Sequence, residues 1–152
     1  MKYIILTLAL LFTTGCAHTY SESTTSAKIT EDTFRISAMG NEYNNYEEIH
    51  DFLLLKAAET TKELGHTHFY FIGTQDTTKT SAYSIPGSVN TTNYGGYTST
   101  TFTPGFAGTS SEPGTTGMVK VFSLTEGKDA PHSAFSADEV IKNIGQRVKA
   151  EE

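Results

Sequence analysis

The sequence predicts a small α+β fold of two layers, in which about three strands form a sheet and two helices pack on it. The chain of 152 residues has the length of one domain. Short apolar segments have the spacing or density typical of strands, and two longer segments carry apolar residues at helical spacing. These segments follow one another as strand, helix, strand, long insert, strand and helix, an order that favours helices on one small sheet.

The first strand and the first helix follow each other closely. Apolar and polar residues alternate over 33–39, which is typical of a strand with one buried face. Asn45, with Glu48 three residues later, resembles a capping box. Apolar residues then recur at helical spacing up to Gly65, a residue that commonly follows a helix. We therefore predict a helix over 46–64.

Two more strands and a second helix are expected on either side of an insert. The aromatic run His68–Ile72 and the apolar run Met118–Leu124 have the length and composition of strands. Ser136 and Glu139 form a second capping-box pattern, and an apolar stripe at helical spacing follows it. Together these elements predict a single domain over 29–150.

The insert over 74–117 is unusually polar and nearly uncharged. Of its 44 residues, 26 are Ser, Thr or Gly. Only three of its residues carry charge, namely Asp76, Lys79 and Glu112. A structureless segment of this length is uncommon inside a compact domain and is usually functional or disordered, and the favoured interpretation is a flexible low-complexity loop. The alternative is a two-stranded β-arm that turns near Pro86–Gly87 or Tyr94–Gly96 and presents a Tyr/Ser/Thr/Gly contact surface.

The N-terminus has the pattern of a bacterial lipoprotein signal. Lys2 precedes the apolar run Tyr3–Phe12, which is shorter than the roughly 20 residues of a membrane-spanning helix and is typical of a secretory signal peptide. Small residues then precede Cys16, the only cysteine in the chain. This resembles the lipobox of bacterial lipoproteins, although Thr13 stands where that pattern prefers Leu. We predict cleavage after Gly15 and lipidation of Cys16.

Lipidation would anchor the protein to a membrane without a spanning helix. Removal of the signal peptide, residues 1–15, leaves Cys16 at the N-terminus, and two or more acyl chains hold a protein firmly on a bilayer. Ala17 stands where inner-membrane lipoproteins carry a retention Asp, so the resemblance implies the outer membrane, with the body facing the periplasm. The Ser/Thr-rich stretch 16–28 lacks periodicity and is predicted to be a flexible lipidated tether.

Composition and motifs leave little room for catalysis. The chain has 11 basic and 17 acidic residues and a net charge of −6, whereas a nucleic-acid-binding surface needs positive charge. The single cysteine excludes an intramolecular disulfide and a multi-cysteine metal site. The sequence also lacks the glycine motifs of nucleotide sites and the GxSxG elbow of hydrolases. We predict no catalytic residue and no cofactor.

His66 and His68 are the only candidate metal ligands. With one residue between them, both imidazoles could lie on the same side of a strand, where zinc or copper would accept them. A third ligand is missing, because His50 lies some four turns away at the start of the preceding helix. We favour structural roles for both histidines; the alternative is a metal-binding protein or an enzyme that uses His66 and His68.

Part of the chain resembles a family of small, uncharacterised bacterial envelope lipoproteins. The shared pattern is a strand ending in Gly-Asn, here Phe34–Asn41, and a helix with Leu-x-x-Ala-Ala-Glu-x-Thr, here Leu54–Thr61. Gly65 and the aromatic strand His68–Phe71 complete it. The match spans about 29–73, and the C-terminal helix resembles the closing helix of the family. The resemblance implies no catalytic role.

These observations predict a non-enzymatic, lipid-anchored envelope protein with a structural, sensing or partner-binding role. Cys16 would attach it to the membrane, and the 74–117 insert would contact an envelope protein or peptidoglycan. The insert is the natural contact surface, because adaptable polar binding surfaces are rich in Tyr, Ser and Gly.

Overall fold

The computed structural model describes residues 18–125 and 129–151 as an antiparallel sheet with helices on one face and a long two-stranded extension. The predicted signal peptide, residues 1–15, and the lipidation site Cys16 lie outside the described residues. The elements are, in order, α1 (Tyr20–Ser23), β1 (Thr24–Lys28), β2 (Thr33–Met39), α2 (Tyr46–Glu63), β3 (His68–Asp76), β4 (Lys79–Ile85), β5 (Ser88–Tyr94), β6 (Tyr97–Thr103), β7 (Phe106–Glu112), β8 (Gly114–Phe122), β9 (Phe135–Ser136) and α3 (Ala137–Glu151).

The main sheet has five strands in the order β1-β2-β8-β3-β9, and neighbouring strands run antiparallel. Because β3 and β8 pair with each other, the long segment between them leaves the sheet and returns beside its own starting strand. This segment forms two further ladders, β4 with β7 and β5 with β6. The β3–β8 register shifts by one residue between Phe71 and Gly73. Such an irregularity bends a strand and increases its local twist.

The predicted fold class is wrong in its proportions. The chain is mostly β, with 46% strand and 27% helix, and the main sheet has five strands where about three were expected. Strand β1 was missed because its sequence, Thr-Thr-Ser-Ala-Lys, lacks apolar alternation; it is an edge strand and its side chains are largely exposed. The insert 74–117 contains four whole strands, so the flexible-loop interpretation is wrong and the β-arm alternative describes the structure.

The core lies between the sheet and α2. Strand β2 buries every second residue, as its alternation predicts, and β8 does the same opposite it. Helix α2 is buried on two sides, because it packs against the sheet and also against α3, where Gly145 lies close to Leu55. The fully or nearly fully buried apolar residues include Phe34, Ile36, Ala38, Ile49, Phe52, Leu53, Leu55, Ala57, Ala58, Phe69, Val119, Val121, Ala137, Val140 and Val148.

The predicted helix is confirmed as α2, and its capping box is the reason it begins where it does. The Asn45 side chain accepts a hydrogen bond from the Glu48 N–H at 2.9 Å, and the Glu48 carboxylate accepts one from the Asn45 N–H at 3.2 Å. Gly65 has a φ of +77°, the left-handed conformation that ends helices and favours glycine. The chain then turns directly into β3.

The tether predicted over 16–28 is instead part of the fold from His18 onward. Residues in this stretch form α1 and β1, and β1 pairs along its whole length with β2. Tyr20 holds the short helix on α2: its ring packs edge-on against Phe52, with ring centroids 5.6 Å apart, and its hydroxyl donates to Glu59 Oε2 at 2.6 Å. A single aromatic residue in a polar stretch produces no periodicity, so the sequence pattern could not indicate this contact.

Candidate functional site

The two ladders outside the main sheet form one long β-ribbon, residues 79–112, called the arm below. In the inner ladder Lys79 pairs with Glu112, and pairing continues to the end of β4. Two residues on each strand then lie outside the ladders, and the outer ladder, β5 with β6, resumes in the same register. At roughly 3.3 Å per residue the arm is about 50 Å long, so it reaches far beyond the body that carries it.

The tip of the arm is a two-residue turn between Tyr94 and Tyr97. Gly95 and Gly96 have φ angles of +56° and +83°. Positive φ at both central residues is the requirement of the type I′ turn, whose twist matches that of paired strands. Of the two turn positions suggested by the sequence, Tyr94–Gly96 is confirmed, whereas Pro86–Gly87 does not reverse the chain.

Pro86–Gly87 lies opposite Pro104–Gly105 and divides the arm into its two ladders. The two strands approach each other very closely here. A Cβ atom on Gly87 would lie 2.8 Å from the Gly105 nitrogen, and one on Gly105 would lie 2.7 Å from the Gly87 nitrogen. Both positions therefore require glycine, and the prolines cannot donate hydrogen bonds to a strand pair. The pairing is interrupted at the same level on both strands.

Each ladder of the arm carries an exposed apolar cluster. The inner cluster is Tyr83, Ile85 and Phe106, which share one face because Ile85 pairs with Phe106 and Tyr83 is two residues from Ile85; the Tyr83 and Phe106 rings are 6.1 Å apart. The outer cluster is Val89 with its cross-strand partner Phe102. These five side chains are 48–68% exposed, although large apolar side chains normally pack in a core.

The arm is also electrically neutral, unlike the rest of the protein. No residue from 80 to 111 carries charge, and Lys79 and Glu112 at its root cancel each other. The net charge of −6 therefore belongs to the remainder of the chain. The faces opposite the apolar clusters carry mainly Ser, Thr, Asn and Ala, together with Pro86. At the tip this opposite face also carries Tyr97, which is 84% exposed. Apart from the tip, the apolar face of each ladder is thus backed by a polar one.

The root of the arm is fixed to the start of α2. The Tyr46 hydroxyl donates to Asp76 Oδ2 at 2.7 Å and also contacts the Thr78 hydroxyl. Asp76 Oδ1 accepts from the Thr78 N–H at 2.8 Å. Hydrogen bonds from Thr78 and then from Tyr46 lower the pKa of Asp76 to about 2 from its ordinary 3.8. Ser110 adds a second attachment, donating to Glu42 Oε2 at 2.8 Å.

The start of the described chain is also held near the start of α2, by the loop that precedes this helix. Asn44 is 7% exposed and binds both backbone groups of His18: it accepts from the His18 N–H at 3.2 Å and donates to the His18 carbonyl at 3.1 Å. Its Oδ1 also accepts from the Asn41 N–H at 3.0 Å. The loop 41–45 therefore holds the segment that leads to Cys16 on one side and the arm on the other. We call this loop the junction.

Two clefts lie beside the junction, and their polar groups are largely paired with one another. The cleft at the start of α2 has a volume of about 340 Å³, and its walls include Tyr46 stacked on His50 and an ion pair between Asp51 and Arg147. A wider depression of about 630 Å³ separates the junction from the arm at Tyr83. Of the side chains that line the first cleft, Asn45 and Glu48 bond to each other's backbone, Tyr46 bonds to Asp76, and Asp51 pairs with Arg147.

The structure does not give the predicted histidines a third ligand. His66 lies in the turn before β3, with Nδ1 3.2 Å from the Ser123 hydroxyl. His68 is the first residue of β3; its Nδ1 is 2.9 Å from the Thr67 hydroxyl and its ring packs on Phe122. Over residues 18–125 and 129–151, no three His, Cys, Asp or Glu side chains come together in a way that could hold a metal ion.

No family model, curated relative or solved structure matches the chain. Within the described part of the chain, no helix is long and apolar enough to cross a membrane.

The arm and the junction are the features of this structure that bear on its function. The sequence indicated the arm through its Tyr-Gly-Gly turn, but it did not indicate the junction. The root of the arm had one sequence signal, Asp76-Thr-Thr78. This spacing is typical of an Asx turn, in which the Asp side chain accepts a hydrogen bond from the backbone two residues later.

Proposed function

We propose that this chain is a lipid-anchored protein of the bacterial envelope that has no enzymatic activity and presents the arm to a binding partner. The observation that carries the proposal is the exposure of the inner and outer apolar clusters on a neutral ribbon. Exposed apolar patches of this size mark interaction sites in soluble proteins. None of the core residues that the structure describes lies in the arm, so packing of the core does not account for these apolar clusters.

A binding role fits the polar groups of the body better than catalysis does. Catalysis needs an acid, a base or a nucleophile aimed at a substrate position. Around the cleft at the start of α2, Asp51 is paired with Arg147, while Tyr46 is bonded to Asp76. These pairs tie α2 to α3 and to the root of the arm.

The membrane attachment rests on the N-terminal sequence. An apolar run, small residues and Cys16 follow one another as in lipoprotein signals, and Ala17 agrees with sorting to the outer membrane. The resemblance to envelope lipoproteins over about 29–73 points to the same compartment. With Cys16 lipidated, acyl chains would hold the acidic body at the periplasmic side of the membrane, since charge attraction to anionic lipid is lacking.

The anchor is tested by replacing Cys16 with serine. Wild-type protein should incorporate a fatty-acid probe and sediment with membranes, whereas Cys16→Ser should incorporate none and become extractable without detergent. The matched control is Thr13→Ser, which changes a neighbouring hydroxyl residue and leaves the cysteine in place. Equal membrane association of wild-type protein and Cys16→Ser would refute the lipid anchor.

The contact role of the arm is tested separately, in intact cells. Replacing 79–112 by Asn-Gly joins Thr78 to Pro113 through a short connection, because these residues lie between the Asp76–Thr115 pair of the sheet and the Lys79–Glu112 pair of the arm. Chemical cross-linking should capture complexes with wild-type protein and lose them with the shortened chain. The control is Thr101→Ser with Thr103→Ser, two mild changes on the polar face. Unchanged complexes in the shortened chain would refute the proposed role of the arm.

A further inference from the structure

We propose that the partner of the arm is the arm of a second copy of this chain, the two packing face to face through their inner and outer apolar clusters. The inference rests on the proposed function only in taking the arm as the contact surface. It does not require lipidation of Cys16. Three properties of the arm select a second copy: its apolar area, its charge and the state of its strand edges.

The apolar area matches that of a modest protein interface. With Tyr83, Ile85, Val89, Phe102 and Phe106 exposed by 48–68%, these side chains present on the order of 500 Å², taking roughly 150–250 Å² for each aromatic residue. This is near the upper end of the largest patch on a typical monomer, about 300–600 Å². Fully covered, two such faces would bury about 1,000 Å² together before the flanking residues are counted, which is the lower limit of a specific protein interface, about 1,000 Å².

Charge directs the contact to the arm. Two copies of an acidic body repel each other, because the whole net charge of −6 lies outside 79–112. The uncharged stretch from 80 to 111 can approach its equivalent in another copy without that repulsion. A strongly charged partner, by contrast, finds no complementary charge on this surface. The arm is therefore suited to a partner that is itself neutral, such as another arm.

The free edges of the arm are poorly suited to pairing with a strand of a second copy, which favours packing of the apolar faces instead. Pro86 and Pro104 interrupt both edges, so each free edge is divided into strands of seven residues. A two-stranded ribbon is only marginally stable in water, and a second layer about 10 Å away supplies the apolar contact that it lacks. Because the same patch is used by both copies, the contact closes into a twofold dimer and does not propagate.

Two neighbouring threonines provide a matched test. Thr91 lies on the same face as Val89, two residues away, while Thr92 points to the opposite face of the same ladder, and both are exposed. In the full chain carrying Cys16→Ser, Thr91→Cys and Thr92→Cys each supply the only thiol. A short bifunctional maleimide should join Thr91→Cys into a covalent dimer with a yield several-fold above that of Thr92→Cys.

The dependence on the apolar clusters is tested in the Thr91→Cys chain. Adding Phe102→Thr and Phe106→Thr keeps strand-forming residues but removes one aromatic ring from each apolar cluster, and should lower the dimer yield toward that of Thr92→Cys. Adding Thr101→Ser and Thr103→Ser on the polar face should leave the yield unchanged. Circular dichroism confirms that all variants fold, and sedimentation velocity should show a dimer that becomes a monomer only in the Phe variant.

Three results would overturn the proposal. Equal cross-linking from Thr91→Cys and Thr92→Cys would indicate random encounter. A monomer with no cross-link from either position would exclude a second copy. Protection of Thr91→Cys from a soluble thiol reagent only when phospholipid vesicles are added, in a chain that stays monomeric, would identify a lipid surface as the partner. None of these depends on the fatty-acid labelling of Cys16, which tests the anchor independently.

Discussion

Replacing Asn44 with alanine should detach the N-terminal segment from the body and destabilise the fold. Asn44 accepts from the His18 N–H, donates to the His18 carbonyl and accepts from the Asn41 N–H. Alanine removes all three hydrogen bonds. Because His18 is exposed, water would take the place of Asn44 at its backbone groups.

The expected loss of stability follows from the number of these hydrogen bonds and from the exposure of the residues that form them. Each hydrogen bond contributes about 0.5–1.5 kcal/mol net. Asn44 itself is buried, but His18 is exposed and Asn41 is partly exposed, so water replaces part of what is lost. We expect the free energy of unfolding to fall by about 2 kcal/mol. Asn44→Asp is the graded control: it retains an acceptor for both N–H groups but sets a carboxylate oxygen against the His18 carbonyl, so its loss of stability should shrink at low pH, where the protonated carboxyl can donate to that carbonyl.

The assay combines urea denaturation with amide hydrogen exchange, both on the full chain with Cys16→Ser. Exchange should accelerate over 18–28, in α1 and β1, well before it does so in α2, because the lost bonds are local to the entry of the chain. A loss below about 0.5 kcal/mol, within the range of ordinary surface substitutions, would refute the role assigned to Asn44. So would a large loss with unchanged exchange over 18–28.

Three further predictions concern the sheet and the root of the arm. Gly117→Ala should destabilise the protein by about 1–3 kcal/mol, because its Cβ would lie 2.6 Å from Phe71 Cε1 in a packed region; thermal denaturation measures this. Replacing 79–112 by Asn-Gly should change the free energy of unfolding by less than about 1 kcal/mol, since the core lies elsewhere. Asp76, whose pKa is lowered to about 2 from 3.8, should stabilise the fold above pH 3.8 and lose this contribution as the pH falls to about 2; acid titration followed by circular dichroism should show that Asp76→Asn lacks this component.

Each of these has an outcome that contradicts it. Wild-type stability in Gly117→Ala would mean that the Phe71 ring moves aside freely. Collapse of the body after replacement of 79–112 would make the arm a structural element. Identical acid titrations of wild-type protein and Asp76→Asn would show that the bonds from Tyr46 and Thr78 do not stabilise the folded state. Asn143→Ala, on an exposed part of α3, serves as a neutral control throughout.

The sequence predicted those elements whose signals are local. Helix α2 has a capping box at Asn45 and a glycine at 65, and both signals act within a few residues. Strand β2 has an alternating burial pattern that survives because one face meets the core. The turn of the arm was indicated by two adjacent glycines. In all three cases the residues that decide the structure are neighbours in the sequence.

The missed elements depend on contacts between distant residues. Strand β1 is a strand because it pairs with β2, and the strands of the arm pair with each other with no buried face to impose a period. The junction bonds to His18 through Asn44, and the root of the arm bonds to α2 through Asp76 and Tyr46; these pairs are separated by 26 and 30 positions. Polar side chains at such separations carry no periodic signal. The proportion of strand was therefore underestimated most where the chain is richest in Ser and Thr.

Residues 18–28 are folded and do not form a flexible tether, which affects how the arm would meet a second copy on a membrane. The chain is held by Asn44 from His18 onward, so at most about 7 Å of extended backbone separates that residue from Cys16. With Cys16 lipidated as proposed, the junction would lie close to the membrane surface, and the root of every arm would lie at the same height above it. Confinement to one plane raises the effective concentration of arms for one another. The dimer that the arms are expected to form in solution should therefore be tighter on the membrane.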